Sequence, residues 1–261
     1  MDTHGSGTLA APLLIGRDSR GVVTLTLNRP ASFNALSDEL LAALDAAIGE
    51  IAADAGARVV VLAANGRAFC AGHDLREMIA REEADAHRDL FARCTRVMLG
   101  LQRLPVPVIA RVQGVATAAG CQLVASCDLA VAAASARFAV SGINLGLFCS
   151  TPSVALARAV PRKAALEMLF TGGMIDAAEA ARRFLINEAV PDAELDDAVA
   201  RRVEQILAKP RAALAIGKAQ FYRQIELGIA EAYDVAGEAM ACNMQDAAAR
   251  EGISRFLDRK K

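Results

Sequence analysis

Two segments constrain this chain more than any others: Ala68-Phe69-Cys70-Ala71-Gly72-His73-Asp74-Leu75 and Ala116-Thr117-Ala118-Ala119-Gly120-Cys121-Gln122-Leu123. Each follows a strand-like apolar run, turns through small residues and opens into a helical pattern. Small residues let a backbone approach a neighbour or ligand closely, and a helix start leaves N–H groups without intrahelical partners. Two such donors aimed at one point make an oxyanion hole, which stabilises negative charge on a carbonyl oxygen. Gln122, beside the second turn, is an amide rather than a carboxylate. The pair therefore reads as able to polarise a carbonyl without an evident acid or base.

The remaining pattern arranges itself around these turns. Residues 13–18 and 22–28 read as a hairpin closed by Asp18-Ser19-Arg20-Gly21. Ser37 is placed to cap a helix, with Asp38 and Glu39 in its first turn and apolar residues at 40, 41, 44, 48 and 51. Residues 59–63 and 107–112 are short apolar runs of the kind buried in layered sheets. Between them lies a charged stretch, 76–88, and helical periodicity over 90–104. Residues 129–134 and 138–140 are strand-like again. After residue 150 no strand is expected: Ser150 or Thr151 with Pro152 resembles a capped helix start, and Asp176 with Glu179 a capping box. Helices are expected near 192–208, 210–222, 226–242 and 245–258. The class is α/β to about residue 150 and helical beyond.

With 54% hydrophobic residues in 261, the chain supplies a sizeable core, and a net charge of −1 gives no reason to expect nucleic acid. The six cysteines lack metal-ligand spacing and mostly sit in apolar runs, as small hydrophobes do. No metal is expected. The longest charge-free run, 112–127, is shorter than the roughly 20 residues a membrane span needs. Residues 1–12 show neither an apolar leader nor the arginines of a transit peptide. These features together lead to the expectation of a cytoplasmic protein without a membrane span. Arg255 to Lys261 is locally basic, either a solvated helix end or a patch for an anion.

Asn28-Arg29-Pro30 with Asn34-Ala35-Leu36, Phe69 to Leu75, Gly120-Cys121-Gln122-Leu123 with Cys127-Asp128-Leu129-Ala130, and Arg250-Glu251-Gly252-Ile253 with Phe256 to Lys260 resemble the crotonase (enoyl-CoA hydratase/isomerase) superfamily, in order and at its spacing. The resemblance implies a crotonase-like spiral of β-β-α units with a C-terminal helical trimerisation region. It divides the chain into a flexible tail, 1–11, a spiral core, 12–200, and a trimerisation region, 201–261. Homotrimers, pairing into hexamers in some members, are implied. So is a coenzyme A thioester as substrate or ligand, with no covalently bound cofactor. The oxyanion-hole donors carry over to the backbone N–H groups of His73 and Ala119. Ala119 stands where the family usually has glycine, so its donor survives if its φ is negative. Arg29, Ala71, Arg76, Phe256 and Arg259 match coenzyme A contacts, Arg76 facing phosphates or adenine and Arg259 reaching from a neighbouring subunit.

The likeness breaks where hydration chemistry sits. Hydratases use two glutamates to hold water and move its protons; here those positions are Gln122 and Gly142. A positioned acid or base contributes roughly 10² to 10⁴ in rate, so hydration is expected to be very poor. The Gly-His-Asp-Leu, Gly-Cys-Gln-Leu-Val-Ala-Ser-Cys-Asp and Gly-Leu-Phe-Cys-Ser-Thr-Pro runs resemble the subgroup called enoyl-CoA hydratase domain-containing. Two classes stay open: an enzyme using the oxyanion hole for hydrolysis, decarboxylation or slow isomerisation, and a non-catalytic acyl-CoA binding or regulatory protein. Of the nearby polar groups, Asp74 reads as ordering its turn, Ser150 as a cap and Cys149 as a buried thiol. The imidazole of His73 reads as pointing away, and that of His87 as solvated at the surface, with reach into an acyl pocket as its alternative.

Overall fold

The computed structural model describes residues 11–258. The expected tail lies outside these but for Ala11, and Arg259 lies outside them too.

The chain opens with the expected hairpin. β1 (Leu13–Arg17) runs antiparallel to β2 (Val22–Leu27), with Leu13 opposite Leu27. Gly21 takes φ +87° at its turn, while Asp18 Oδ1 accepts from the N–H groups of Arg20 and Val22 at 2.9 and 3.0 Å. α1 (Asp38–Ala53) starts where Ser37 Oγ accepts from the Leu40 N–H at 3.2 Å, and buries Leu40, Leu41, Leu44, Ile48 and Ile51. Three units of a long strand, a short strand and a helix follow. The first is β3 (Val59–Ala64), β4 (Ala68–Cys70), α2 (Leu75–Ile79) and α3 (Ala84–Arg103). Then come β5 (Val108–Val112), β6 (Val115–Thr117) and α4 (Ala119–Ser126). The third is β7 (Leu129–Ala133), β8 (Arg137–Ala139) and α5 (Ser150–Ala159). α6 (Arg162–Thr171), β9 (Ile175–Asp176), α7 (Ala177–Arg182), β10 (Glu188–Val190), α8 (Leu195–Leu207), α9 (Arg211–Gln224), α10 (Ile229–Asn243) and α11 (Ala247–Asp258) complete the chain.

The long strands line up as β1-β2-β3-β5-β7-β10, parallel after the first pair, and the short ones as β4-β6-β8-β9. Each unit is thus one turn of a spiral that lays a strand in each sheet. Both faces of the larger sheet are covered. Val60, Leu62, Val108 and Ala110 pack towards α1 and α3, while Val59, Val61 and Ile109 pack with Leu195, Val199 and Val203 of α8. That two-sided burial explains why these strands read as unbroken apolar runs, and each full burial stabilises by about 1.5–3 kcal/mol.

Five expectations need correction. Strands do occur after residue 150, because β9 and β10 are edge additions held by backbone pairing to β8 and β7, too short to carry a side-chain pattern. Ser150 is not a cap: it is the first residue of α5, whose N-cap position, Cys149, makes no side-chain cap bond. α3 starts at Ala84, ahead of the apolar periodicity, since its first turns are solvated. His87 is half-buried, its Nε2 lying 3.1 Å from the Met78 carbonyl oxygen. The capping box at Asp176 forms in one direction only: Asp176 Oδ1 accepts from the Glu179 N–H at 2.8 Å, while Glu179 pairs with Arg183.

α8 runs through residue 200 and packs on the sheet as far as Ile206, so the core extends past that position. α9 is pinned to it by one cluster. Lys218 Nζ donates to the Leu101 and Val106 carbonyls at 2.8 and 3.0 Å and to Asp128 Oδ2 at 2.6 Å. The Tyr222 hydroxyl donates to Asp128 Oδ1 at 2.9 Å. Burial lowers the Lys218 pKa even though Asp128 opposes it. Beyond this anchor, α9, α10 and α11 contain no fully buried residue.

Candidate functional site

β4 ends in a turn that only glycine takes without strain. Gly72 has φ +95°. Leu36 then bridges to His73 in parallel fashion, its N–H donating to the Gly72 carbonyl at 2.8 Å and its carbonyl accepting from the Asp74 N–H at 3.1 Å. Those bonds belong to the residues on either side of His73, so the His73 N–H points the opposite way. Asp74 caps α2 by accepting from the Arg76 N–H at 3.2 Å, and Arg29 reaches it at 3.1 Å while also donating to the Ala35 carbonyl at 2.5 Å. Burial pushes the Asp74 pKa up, but the Arg29 hydrogen bond and the backbone donors outweigh it and leave the carboxyl below its usual range. Asp74 orders the turn, as its sequence position suggested.

The second turn leaves β6 through Ala118, at φ 49° and ψ −119°. Its N–H donates to the Ala139 carbonyl and its own carbonyl accepts from the Gln122 N–H, both at 3.0 Å. Ala119 is the first residue of α4, where an N–H has no intrahelical acceptor. It is not among the positive-φ residues, so the condition set for its donor is met, and the unusual backbone falls one residue earlier, at Ala118.

The two turns touch. Thr117 Oγ1 donates to the Ala71 carbonyl at 3.0 Å. A Cβ on Gly72 would lie 2.9 Å from Ala118 Cβ and 3.4 Å from the Ala119 nitrogen. One on Gly120 would meet the Cys70 carbonyl oxygen at 2.1 Å, so the start of α4 sits directly on β4. Arg29, Ala71, His73 and Arg76 therefore gather around the first turn, and Ala119 and Gln122 around the second. Arg76 is exposed, and its guanidinium has no acceptor among the described residues. Phe256 lies on α11, 60% exposed.

Gln122 is buried, and its Oε1 has no hydrogen-bond partner among the described residues. It borders a cavity of about 1030 Å³ between α3, α4, α5 and α9, walled also by Thr95, Met98, Ala155, Phe221 and Ile225. Gly142 sits in a 3-10 turn with no room for a side chain. An added Cβ would meet the Leu147 carbonyl oxygen at 2.5 Å and Cys149 Sγ at 2.8 Å. Cys149 is a buried thiol accepting from the Gly142 N–H at 3.3 Å, and burial raises its pKa. Burial also pushes the thiols of Cys70 and Cys121 up to about 12, so neither serves as a thiolate nucleophile near neutral pH.

Sequence reasoning missed the setting of the His73 side chain. Its ring packs edge-on against Phe91 of α3, centroids 5.6 Å apart, and both ring nitrogens are buried without a partner among the described residues. Burial, with the Arg81 charge, lowers its pKa to about 4 and keeps it neutral near pH 7. α2 and the residues just after it are tied to the start of α1: Glu77 accepts from the Asp38 N–H at 2.8 Å, and Arg81 pairs with the Asp38 carboxylate. Nothing local in the charged stretch signals contacts with α1. Among the described residues no group of three or more His, Cys, Asp or Glu is placed to hold a metal, and no helix is long and apolar enough to cross a membrane.

A family model described as Enoyl-CoA hydratase/isomerase matches residues 17–261. The chain is 44% identical over 245 residues to "Enoyl-CoA hydratase domain-containing protein 3, mitochondrial" of Rattus norvegicus, covering 94% of this chain and 82% of that protein. A crystal structure of an enoyl-CoA hydratase from Mycobacterium smegmatis superposes with a TM-score of 0.94 at 62% identity, over 95% of this chain and 96% of that one. The crystal structure of human enoyl-CoA hydratase domain-containing protein 3 gives 0.91 at 44% identity, over 96% and 98%. The subgroup likeness and the spiral fold stand. The expectation of a cytoplasmic protein does not: the rat relative is named as mitochondrial.

Proposed function

The chain belongs to the enoyl-CoA hydratase/isomerase family, and from that premise we propose that it binds an acyl-CoA thioester at the paired turns, the N–H groups of His73 and Ala119 donating to the thioester oxygen. The observation that carries this is the contact of the turns, with Gly72 set against Ala118 and the Ala119 nitrogen. A free, permanently charged Arg76 guanidinium beside the first turn suits the coenzyme A phosphates. Phe256 and Arg259 serve the same ligand from the C-terminal region, and 201–261 acts as the trimerisation region. In support of that last role, α10 and α11 leave Ile229, Tyr233, Met240 and Leu257 largely exposed.

The chemistry suited to this site is stabilisation of an enolate or a tetrahedral oxyanion, as in thioester hydrolysis, decarboxylation or slow isomerisation. Hydration lacks its proton carriers at Gln122 and Gly142. A binding role without turnover is the second reading, favoured by the closed space at Gly142: the backbone there leaves no room for a glutamate.

The test uses the full chain. Calorimetry with butyryl-CoA is expected to show saturable binding. Ala119→Pro deletes one donor and, where the variant keeps the parent's circular dichroism, should lower any turnover found across an acyl-CoA panel by about 10² to 10³. Crotonyl-CoA hydration near the ordinary enzyme median of about 10 per second would sink the claim that the bases are missing. Binding without product, followed by mass spectrometry, selects the second reading.

A further inference from the structure

The loop from Arg29 to Leu36 carries backbone strain. Phe33 and Asn34 take φ 51° and 55° in succession, a left-handed stretch that non-glycine residues keep only where their surroundings over-determine it. Asn34 supplies that hold. It is fully buried, and its side-chain oxygen accepts from the Arg29 N–H at 2.8 Å. Its amide nitrogen donates to the Asn65 and Ala68 carbonyls, each at 2.8 Å. The loop is thereby fastened to the connection between β3 and β4.

Its far end lies along the first turn and takes up that turn's backbone groups. The Phe33 carbonyl accepts from the Ala71 N–H at 3.0 Å, the Leu36 N–H donates to the Gly72 carbonyl, and the Leu36 carbonyl accepts from the Asp74 N–H. His73, between them, keeps an N–H without an acceptor among the described residues. The Arg29 guanidinium then crosses from loop to turn. One terminal nitrogen donates to the Ala35 carbonyl at 2.5 Å, and the other to Asp74 Oδ2 at 3.1 Å. With both terminal nitrogens on protein acceptors and its side chain 23% exposed, Arg29 is not placed, as Arg76 is, to meet a phosphate.

Resting on the acyl-CoA reading above, we infer that Arg29 and Asn34 are positioning residues for the first oxyanion donor: through the loop backbone, the Ala35 carbonyl and Asp74 they fix the direction in which the His73 N–H leaves the turn. Such a donor works by being held in place before the charge develops. A misplacement of about 1 Å can cost on the order of 10² in rate.

Infrared difference spectra of the full chain with butyryl-CoA, labelled with carbon-13 at the thioester carbonyl, read the donors directly, because hydrogen bonds to that oxygen lower its stretching frequency. The parent should shift the band downward on binding. In Arg29→Met, with circular dichroism matching the parent, the shift should fall to about half or less, while calorimetric affinity for free coenzyme A stays within about twofold. Asn34→Gly keeps the backbone conformation but deletes the amide ties, and should lose the shift in the same way. Arg29→Lys keeps the charge without the fork; it should retain part of the shift and covers the case in which Arg29→Met fails to fold. Any turnover found should fall in kcat with little change in KM. A full carbonyl shift in every folded variant overturns this inference and leaves the acyl-CoA reading standing. So does a loss of more than about tenfold in free coenzyme A affinity in Arg29→Met with the shift intact, which would make Arg29 a ligand of the coenzyme. A parent that binds butyryl-CoA with no shift removes the oxyanion reading and this inference together.

Discussion

The two turns of the site meet the same backbone demand by different means. At the first, a glycine supplies φ +95°, a cap on α2 is made by Asp74, and Arg29 ties that cap down. At the second, an alanine is held at φ 49°, and α4 starts without a side-chain cap. The surroundings hold Ala118 there: Ala139 of β8 takes its N–H, and Gln122 donates to its carbonyl. A non-glycine residue in such a region stores about 1–3 kcal/mol and persists only where neighbours over-determine it. The difference teaches that space, rather than local preference, assigns the residues. Gly72 and Ala118 face each other at 2.9 Å from an added Cβ, so only one of them can carry a methyl.

The sharpest way to break this comparison is to put the methyl on the other side. Gly72→Ala combines a positive φ with a clash and should destabilise by on the order of 3–5 kcal/mol in denaturant melts. In an Ala118→Gly background the loss should shrink by at least about 1 kcal/mol, because the contact is shared. Additive losses would show that the turns do not press on one another.

A second prediction concerns acid stability of the first turn. His73 takes up a proton near pH 6.5 when unfolded but only near pH 4 in the fold. Between these values the unfolded chain binds more protons. Stability is therefore complete above about pH 6.5 and falls as pH drops towards 4. The ceiling on this effect is about 3 kcal/mol. Melting curves of the parent against His73→Leu should diverge over that window, the leucine variant showing the flatter acid limb. Parallel limbs would place the imidazole in water.

The smallest effect belongs to Ala118→Gly alone. Relief of strain, about 1–3 kcal/mol, is offset by glycine's backbone entropy of about 0.5–1 kcal/mol and by a lost methyl contact worth about 0.8 kcal/mol. Stability within about 1 kcal/mol of the parent is expected. A loss above 2 kcal/mol would mean that Ala118 is not strained.

Much of this fold was legible before any coordinates. The hairpin at Gly21, the cap at Ser37, the ordering role of Asp74 and the burial of Cys149 all follow from residue types acting within a few positions. The family likeness followed from motifs in order along the chain. β9 and β10 were not legible, since two or three residues joining a sheet edge through their backbones leave no pattern in side chains. Nor was the space at Gly142, whose walls are set by Leu147 and Cys149 once a 3-10 turn has folded back. The packing around the His73 imidazole was not legible either, because Phe91 of α3 and Asp38 of α1 come from other elements.

By itself, then, the sequence determined what depends on short-range chemistry: turn residues, helix starts and apolar runs. Only the tertiary structure decided which atoms were left unpaired, which residue bore the strained backbone and where a side chain had no room. Those outcomes depend on the close packing of distant segments, and van der Waals and hydrogen-bond forces act over ångströms in space rather than over positions along the chain.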